Sequence, residues 1–260
     1  MDLTPGRWAR SPMREVEPVT DTSPRTLPRT LLRQNWRDVI FLHWQVNPFE
    51  VAGLLPSGTV PDLHNGRAYA GLVFFRMQGL RFAVGPSWPY VGEFNEVNVR
   101  LYSRDAQGRR GVVFLSLDCN RLIPTLLARS VFGLPYHHSH ISRHQHPAGS
   151  RLIYRSAPRR RSGASYAWID VEQRPYSPST LDSFLTNRWG LHESHRNRTY
   201  YFPNAHPPWK LLPCTVLGWD ATVFSNCGLT RPSTEPISAL YSPGLPVRFG
   251  MPERMKPFAG

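Results

Sequence analysis

Apolar and polar residues alternate with a period of two along most of the chain from residue 38 onward, the signature of strands with two distinct faces. Asp38 to Val46 (DVIFLHWQV) is rich in β-branched and aromatic residues. Ala68 to Met77 (AYAGLVFFRM) forms a second strand after an Asn65-Gly66 turn. Phe94 to Tyr102 and Gly111 to Leu117 (GVVFLSL) follow, joined by a loop with Asp105 and Gly108, and so read as an antiparallel hairpin. Further strands are predicted at Tyr136 to Ser142, Arg151 to Ser156, Ser165 to Glu172, Thr199 to Phe202, Pro213 to Val223 and Ile237 to Tyr241.

Helical spacing is rarer. A short helix is expected from Pro48 to Leu55, stopped by Pro56. A second, at about Asn120 to Phe132, has Leu122, Leu126 and Leu127 on one face and ends at Gly133 and Pro135. A third, Pro178 to Trp189, carries Leu181, Phe184, Leu185 and Arg188 at helical spacing before Gly190. Runs of strands with two or three helices packed on them make an α+β, β-rich fold rather than an alternating doubly wound one. Residues 1–33 show neither period and hold five prolines, so a disordered tail is expected there. One domain spans 34–250, with 251–260 as a C-terminal tail.

Composition narrows the classes. The 260 residues are 40% hydrophobic and 12% aromatic, enough for a packed core without disulfide staples. No apolar run nears the roughly 20 residues of a membrane-spanning helix, so no membrane partner is expected. Cys119, Cys214 and Cys227 are odd in number, far apart and form no CxxC pair, which points to a reducing, cytoplasmic setting. The net charge is +13, yet only Lys210 and Lys256 are lysines, so arginine supplies nearly all of it. Six arginines between 143 and 161, with no acid among them, give an interaction module with nucleic acid or an anionic surface as an alternative function. A solvated turn between two strands is the favoured reading, because no aromatics interleave with Arg159, Arg160 and Arg161.

Three places could carry chemistry. In FNEVNVRL, alternation puts Val97, Val99 and Leu101 on one face and Glu96, Asn98 and Arg100 on the other. That second face is either the wet side of a half-buried strand or the lining of a cavity that orients a small polar ligand. Five histidines, His137, His138, His140, His144 and His146, fall within ten residues. They lack a carboxylate or cysteine at ligand spacing, so no metal and no other cofactor is expected. Ala205-His206-Pro207-Pro208-Trp209 sets His206 and Trp209 on a rigid connection, as a strand link or as part of a ligand site. His192-Glu193-Ser194-His195 has one residue where the HExxH zinc motif has two.

The segments FLHWQVNPFEVAGLLPSG, NGRAYAGLVFFRM, FNEVNVRLY, GVVFLSLDCN, GLPYHH, FLTNRW and HPPW follow one another in that order. Together they resemble the bacterial domain of unknown function 2071, the YqjF-like family, over about residues 34–250. The resemblance implies kinship with the acetoacetate-decarboxylase-like superfamily, and so a cone-like antiparallel β-barrel with packed helices around an interior polar pocket. In the decarboxylase a GFPKK-like motif carries the Schiff-base lysine and a second lysine that lowers its pKa. The matching run here is Gly133-Leu134-Pro135-Tyr136-His137, with Tyr136 in place of the nucleophile and His137 in place of its neighbour. Glu96 matches the decarboxylase's active-site glutamate.

An imine requires an amine, and neither Lys210 nor Lys256 lies near that run. The resulting expectation is a small-molecule-binding barrel for a carboxylate or keto compound, either a pure binding protein or a lyase or isomerase that works without a Schiff base. Glu96, Tyr136 and His137 are the candidate catalytic residues, and Asn98, Arg100, His206 and Trp209 the candidate ligand-binding residues. The sequence is compatible with a monomer and with a homo-oligomer.

Overall fold

A computed structural model describes residues 14–83, 92–121, 133–147, 149–159 and 163–255. The chain opens with β1 (Thr30–Val46), α1 (Pro48–Leu54), β2 (Thr59–Pro61), β3 (Ala68–Phe82), β4 (Phe94–Asp105) and β5 (Arg110–Cys119). Then come β6 (Tyr136–Gln145), β7 (Arg151–Pro158), β8 (Ser165–Val171), α2 (Thr180–Thr186), β9 (Gly190–His195) and β10 (Arg198–Ala205). The last elements are β11 (Leu212–Asp220), α3 (Val223–Asn226), β12 (Ser238–Gly250) and β13 (Glu253–Arg254). The helix expected at 120–132 lies outside the described residues.

Hydrogen bonding closes the strands β5-β6-β7-β8-β11-β12-β1-β3-β4 into a nine-stranded barrel. All its pairings are antiparallel except that of β5 with β6, whose register runs from Leu117–Tyr136 to Cys119–His138. Two long strands fork. The first part of β12 pairs with β11 and its last residues with β10. The start of β5 meets β9 at Val112–Leu191, while its end pairs with β6. A second lobe, β9 and β10 with α2, therefore lies against the shared strands β12, β1, β3, β4 and β5.

Both faces of those shared strands are buried. On one face Ile40, Leu42, Leu72, Phe74, Val97, Val99 and Leu101 join Tyr154, Ala167 and Ile169 in the main core. On the other, Val39, Phe41, Val73 and Phe75 pack with Leu211 and Leu240, and Tyr69 and Tyr102 pack with Phe184, Leu185 and Leu191. Full burial of a large aliphatic or aromatic side chain contributes roughly 1.5–3 kcal/mol, so the two cores fix the register on both sides of one sheet.

The helices are short and tied at their ends. The Asn47 side chain accepts from the Phe49 N–H, and Pro48 opens α1. A capping box between Ser179 and Asp182 starts α2, and the Asp182 carboxylate also accepts from Tyr176 Oη (2.5 Å) and Ser238 Oγ (3.2 Å). The predicted helix 178–189 is thus only seven residues long, because Arg188 and Trp189 are needed elsewhere and Gly190 already starts β9.

The expected tail boundary at residue 33 differs from the structure. β1 begins at Thr30, and residues from Arg14 onward lie along the barrel without regular structure. Backbone bonds run from Arg14 N to Ala106 O and from Glu17 N to Gly108 O. Arg110 Nε donates to Glu17 O, Asn187 Nδ2 to Asp21 Oδ1, and Trp189 Nε1 to Thr20 O. The segment has no periodicity because its bonds go to other strands rather than to itself. Gly108, at φ +79°, makes this docking possible: a Cβ there would lie 2.2 Å from Glu15 O. Gly108→Ala should therefore loosen residues 14–24, cost about 1–3 kcal/mol in urea denaturation, and expose a new cleavage site to limited proteolysis ahead of residue 25.

Candidate functional site

β4 places Glu96, Asn98, Arg100 and Tyr102 in succession on the face turned away from the main core. They are buried, Glu96 at 3%, Asn98 at 3% and Arg100 at 5% exposure, so this is not the wet side of a sheet. Cross-strand register lines them up in rows with β3 and β1. Asn98 stands beside Val73 and Phe41, and Arg100 beside Gly71 and His43. Gly71 gives His43 and Arg100 their room, since a Cβ there would lie 3.0 Å from His43 Cδ2 and 3.2 Å from Arg100 Cγ.

Glu96 accepts a hydrogen bond from Tyr136 Oη at 2.8 Å. Burial raises its carboxyl to about 7, against the lowering effect of bonds from Tyr136 and Asn98; the Asp118 carboxylate adds to the rise. The Tyr136 phenol is held well above its usual range, first by burial and then by Glu96, so it remains a donor at neutral pH. β6 brings Tyr136 to this face together with Cys119 and the second core. Strand alternation turns His137 to the opposite face, in register with Asp118 of β5. Asp118 itself accepts from Ser116 and Ser156 Oγ.

Arg100 is anchored from the other side. Its Nε donates to Tyr102 Oη (3.1 Å) and its Nη2 to the Leu185 carbonyl (2.9 Å), and its guanidinium lies 5.3 Å from the centre of the Phe41 ring. Tyr102 Oη donates to Leu185 O (3.0 Å) and lies 2.7 Å from His43 Nε2. With that proton on the carbonyl, His43 Nε2 is the donor and Nδ1 an acceptor. Burial first, then Arg100 and Arg188, hold the His43 pKa well below its ordinary value, so the ring is neutral.

The carbonyl end of α2, which has no partners inside so short a helix, is thus bound by the site. Arg188 Nε takes Phe184 O at 2.8 Å and Trp209 Nε1 takes Thr186 O at 3.1 Å. Arg188 also stacks over Phe184 and Tyr102 and donates to Asp62 (2.5 Å), which Arg110 shares. Asn98 Oδ1, His43 Nδ1 and Arg188 Nη2 are buried and have no hydrogen-bond partner among the described residues. Buried polar atoms are almost always paired, and here three orphans cluster around the same strands.

Trp209 stands edge-on to Phe41 at 5.1 Å and lies 6.0 Å from Trp36, and so covers the Phe41 row of this face. His206 does not reach it. Its ring stacks on Trp189 (4.3 Å) outside Trp209, and its Nδ1 donates to Pro207 O. The structure thus brings Glu96, Asn98, Arg100, Tyr136 and Trp209 onto one buried face and leaves His137 and His206 off it. His43, Tyr102, Arg188, Asp62 and Gly71 were not anticipated. Only His43 left a trace in sequence, as a lone imidazole on the Phe41 face of an apolar strand.

The other motifs are quieter. Ser103 Oγ lies 2.8 Å from His192 Nδ1, and His192 Nε2 lies 3.7 Å from Asp105, but all three are buried. No three His, Cys, Asp or Glu groups gather to hold a metal among the described residues. In the arginine-rich stretch, Arg143 pairs with Asp38, Arg151 with Asp170, and Arg155 lies over Tyr166. Cys119, Cys214 and Cys227 form no disulfide with one another. No helix among the described residues is long and apolar enough to cross a membrane.

This closed barrel with its second lobe is the fold of the acetoacetate-decarboxylase-like enzymes. The structure of MppR, an enduracididine biosynthesis enzyme complexed with pyruvate, aligns over 95% of this chain and 99% of its own with a TM-score of 0.61 and 14% identity. An acetoacetate decarboxylase-like enzyme from Sphingomonas wittichii RW1 aligns at 0.62 over 90% and 97%, with 13% identity. Acetoacetate decarboxylase from Legionella pneumophila aligns at 0.61 over 91% and 92%, with 14% identity. Within that fold the chain belongs to the DUF2071 family, "Uncharacterized conserved protein (COG2071)", whose model matches residues 33–246. It is also 32% identical over 213 residues to the uncharacterized protein YqjF of Bacillus subtilis strain 168, covering 80% of this chain and 86% of the relative.

The raised Glu96 pKa makes stability pH-dependent. A carboxyl that titrates near 7 when folded and near 4.5 when unfolded favours the protonated fold. That contribution is full below 4.5, falls as the pH climbs to 7, and is flat above. Its span is about 3 kcal/mol. Glu193, buried on β9 and pushed up to about 8, acts in the same direction. Denaturation at pH 5 and pH 7.5 should show the wild type weaker at the higher pH; Glu96→Gln and Glu193→Gln should each remove part of that difference, Glu193→Gln the larger part.

Proposed function

We propose that the buried face of β4 binds a small carboxylate or keto compound and moves a proton on it, as a lyase or isomerase that forms no Schiff base. The observation that supports this reading most is Glu96. A carboxyl at about 7 is half protonated at neutral pH, and so both takes and gives a proton readily. Tyr136, kept protonated, donates a hydrogen bond to the carboxylate and steadies its charged form.

Arg100 supplies the recognition. Its Nε and one Nη2 hydrogen are taken by the protein, which leaves Nη1 and the other Nη2 hydrogen for a ligand carboxylate. Glu96 and Arg100 are four residues apart, about 13 Å between Cα atoms. A ligand reaching between the two side chains lies over the row of Asn98, Val73 and Phe41. There Asn98 Oδ1 accepts from a hydroxyl or enol, and Phe41 and Trp209 shield the apolar part. The pyruvate named for MppR is of the same chemical class.

Imine chemistry is set aside on residue identity. Tyr136 occupies the place of the nucleophilic lysine, its phenol polarises a carbonyl but forms no imine, and Lys210 is exposed on the surface. The sequence-stretch 143–161 is not the site in this reading, since three of its arginines already have partners.

The test is solvent exchange at carbon. In D2O, protein should catalyse deuterium incorporation next to the carbonyl of pyruvate or a related keto acid, with an inflection near pH 7. Glu96→Gln should lose the exchange, Arg100→Ala should weaken substrate binding by roughly tenfold or more, and borohydride with acetoacetate should leave the protein mass unchanged. Trapping of one substrate equivalent on Lys210, or exchange that survives Glu96→Gln, overturns the reading.

A further inference from the structure

A separate cleft of about 480 Å³ opens where β1, β3, β10 and β12 meet, lined by Arg33, Gln34, Asn35, Arg81, His206 and Arg248 among others. Register explains its charge. Arg33 of β1 stands directly opposite Arg248 of β12 on one side and Arg81 of β3 on the other. Beyond Arg248 the row ends at Ala205 of β10. Three guanidinium-bearing residues therefore stand side by side on three adjacent strands. Like charges placed directly opposite destabilise a sheet, and none of these three makes an ion pair with a described residue. The described residues that line the cleft include no carboxylate.

We propose that this cleft is an anion site, distinct from the Glu96 site, for the linked phosphates of a small phosphorylated compound. Neighbouring strands are about 4.8 Å apart, so the three arginines span roughly 10 Å. That is too long for one carboxylate or one phosphate and suits a chain of two or three phosphates. Planar guanidiniums donate in pairs to phosphate oxygens. Asn35, two residues on from Arg33 along β1, adds a neutral amide. His206 adds no charge, because burial lowers it to about 4 against the raising effect of its bond to Pro207 O. The volume falls in the range of small-ligand sites, about 300–1,000 Å³, and Ala205 closes one end of the row, whereas a nucleic-acid track would continue.

Calorimetry at low salt, with tripolyphosphate, pyrophosphate, orthophosphate and a short single-stranded oligonucleotide as probes, tests the assignment. Tripolyphosphate should bind at one site and exceed orthophosphate by roughly tenfold or more. Arg33→Ser should weaken it by a similar factor, while Arg231→Ser, which removes the same charge from a distant exposed pair with Asp220, should not. Without ligand, Arg33→Ser should melt about 1–2 °C higher than wild type, because the central like charge is gone. No saturable tripolyphosphate binding, an equal loss in Arg231→Ser, or tighter binding of the oligonucleotide than of tripolyphosphate would each overturn it.

Discussion

β4 is packed between two cores, and most of what is distinctive here follows from that. A strand buried on both faces is ordinarily apolar on both. Here one face obeys the rule with Val97, Val99 and Leu101, and the other carries a carboxyl, an amide, a guanidinium and a phenol. Burying such groups without compensation costs several kcal/mol each, so the surrounding structure has to answer them one by one. Tyr136 answers Glu96, the carbonyl end of α2 answers Arg100 and Tyr102, and Asp62 answers Arg188. The second lobe is therefore bound to the barrel through polar atoms that β4 presents as well as through the apolar core of Tyr69, Phe184, Leu185 and Leu191.

What the protein leaves unanswered is as informative as what it answers. Glu96 keeps a pKa near neutrality because its compensation is partial: one phenol and one amide set against full burial and the nearby Asp118. Asp182, with donors from Ser179, Tyr176 and Ser238, shows what a fully satisfied carboxylate looks like in the same fold. The contrast separates a carboxylate that fastens a helix from one that remains free to exchange a proton.

The alternation of FNEVNVRL was legible in the sequence because period two is a local property, and so was the β-rich class. The family motifs led to Tyr136 and Glu96 as positions, and the structure joins them by a hydrogen bond. Less was legible where a residue's role depends on distant chain. Residues 14–29 dock through bonds to residues some 90 to 170 positions away, which no local pattern can encode. β9 went unread because His192, Glu193 and Ser194 look polar, although His192 and Glu193 are buried. His137 stands on the opposite face from Tyr136, because adjacent strand residues point to opposite faces.

The arginine row illustrates the opposite limit. Arg33, Arg81 and Arg248 are far apart in sequence and unremarkable in a chain where arginine is the common base. Only strand register makes them neighbours, and register is set by the apolar residues of β1, β3 and β12, not by the arginines themselves. The row is thus a by-product of packing unless something offsets its repulsion. The main cluster of arginines at 143–161 was conspicuous in sequence, and three of its members have partners in the fold: Arg143 with Asp38, Arg151 with Asp170, and Arg155 over the Tyr166 ring. Charge that folding has paired serves structure first, and charge that folding has assembled without a partner is the better guide to where an anion binds.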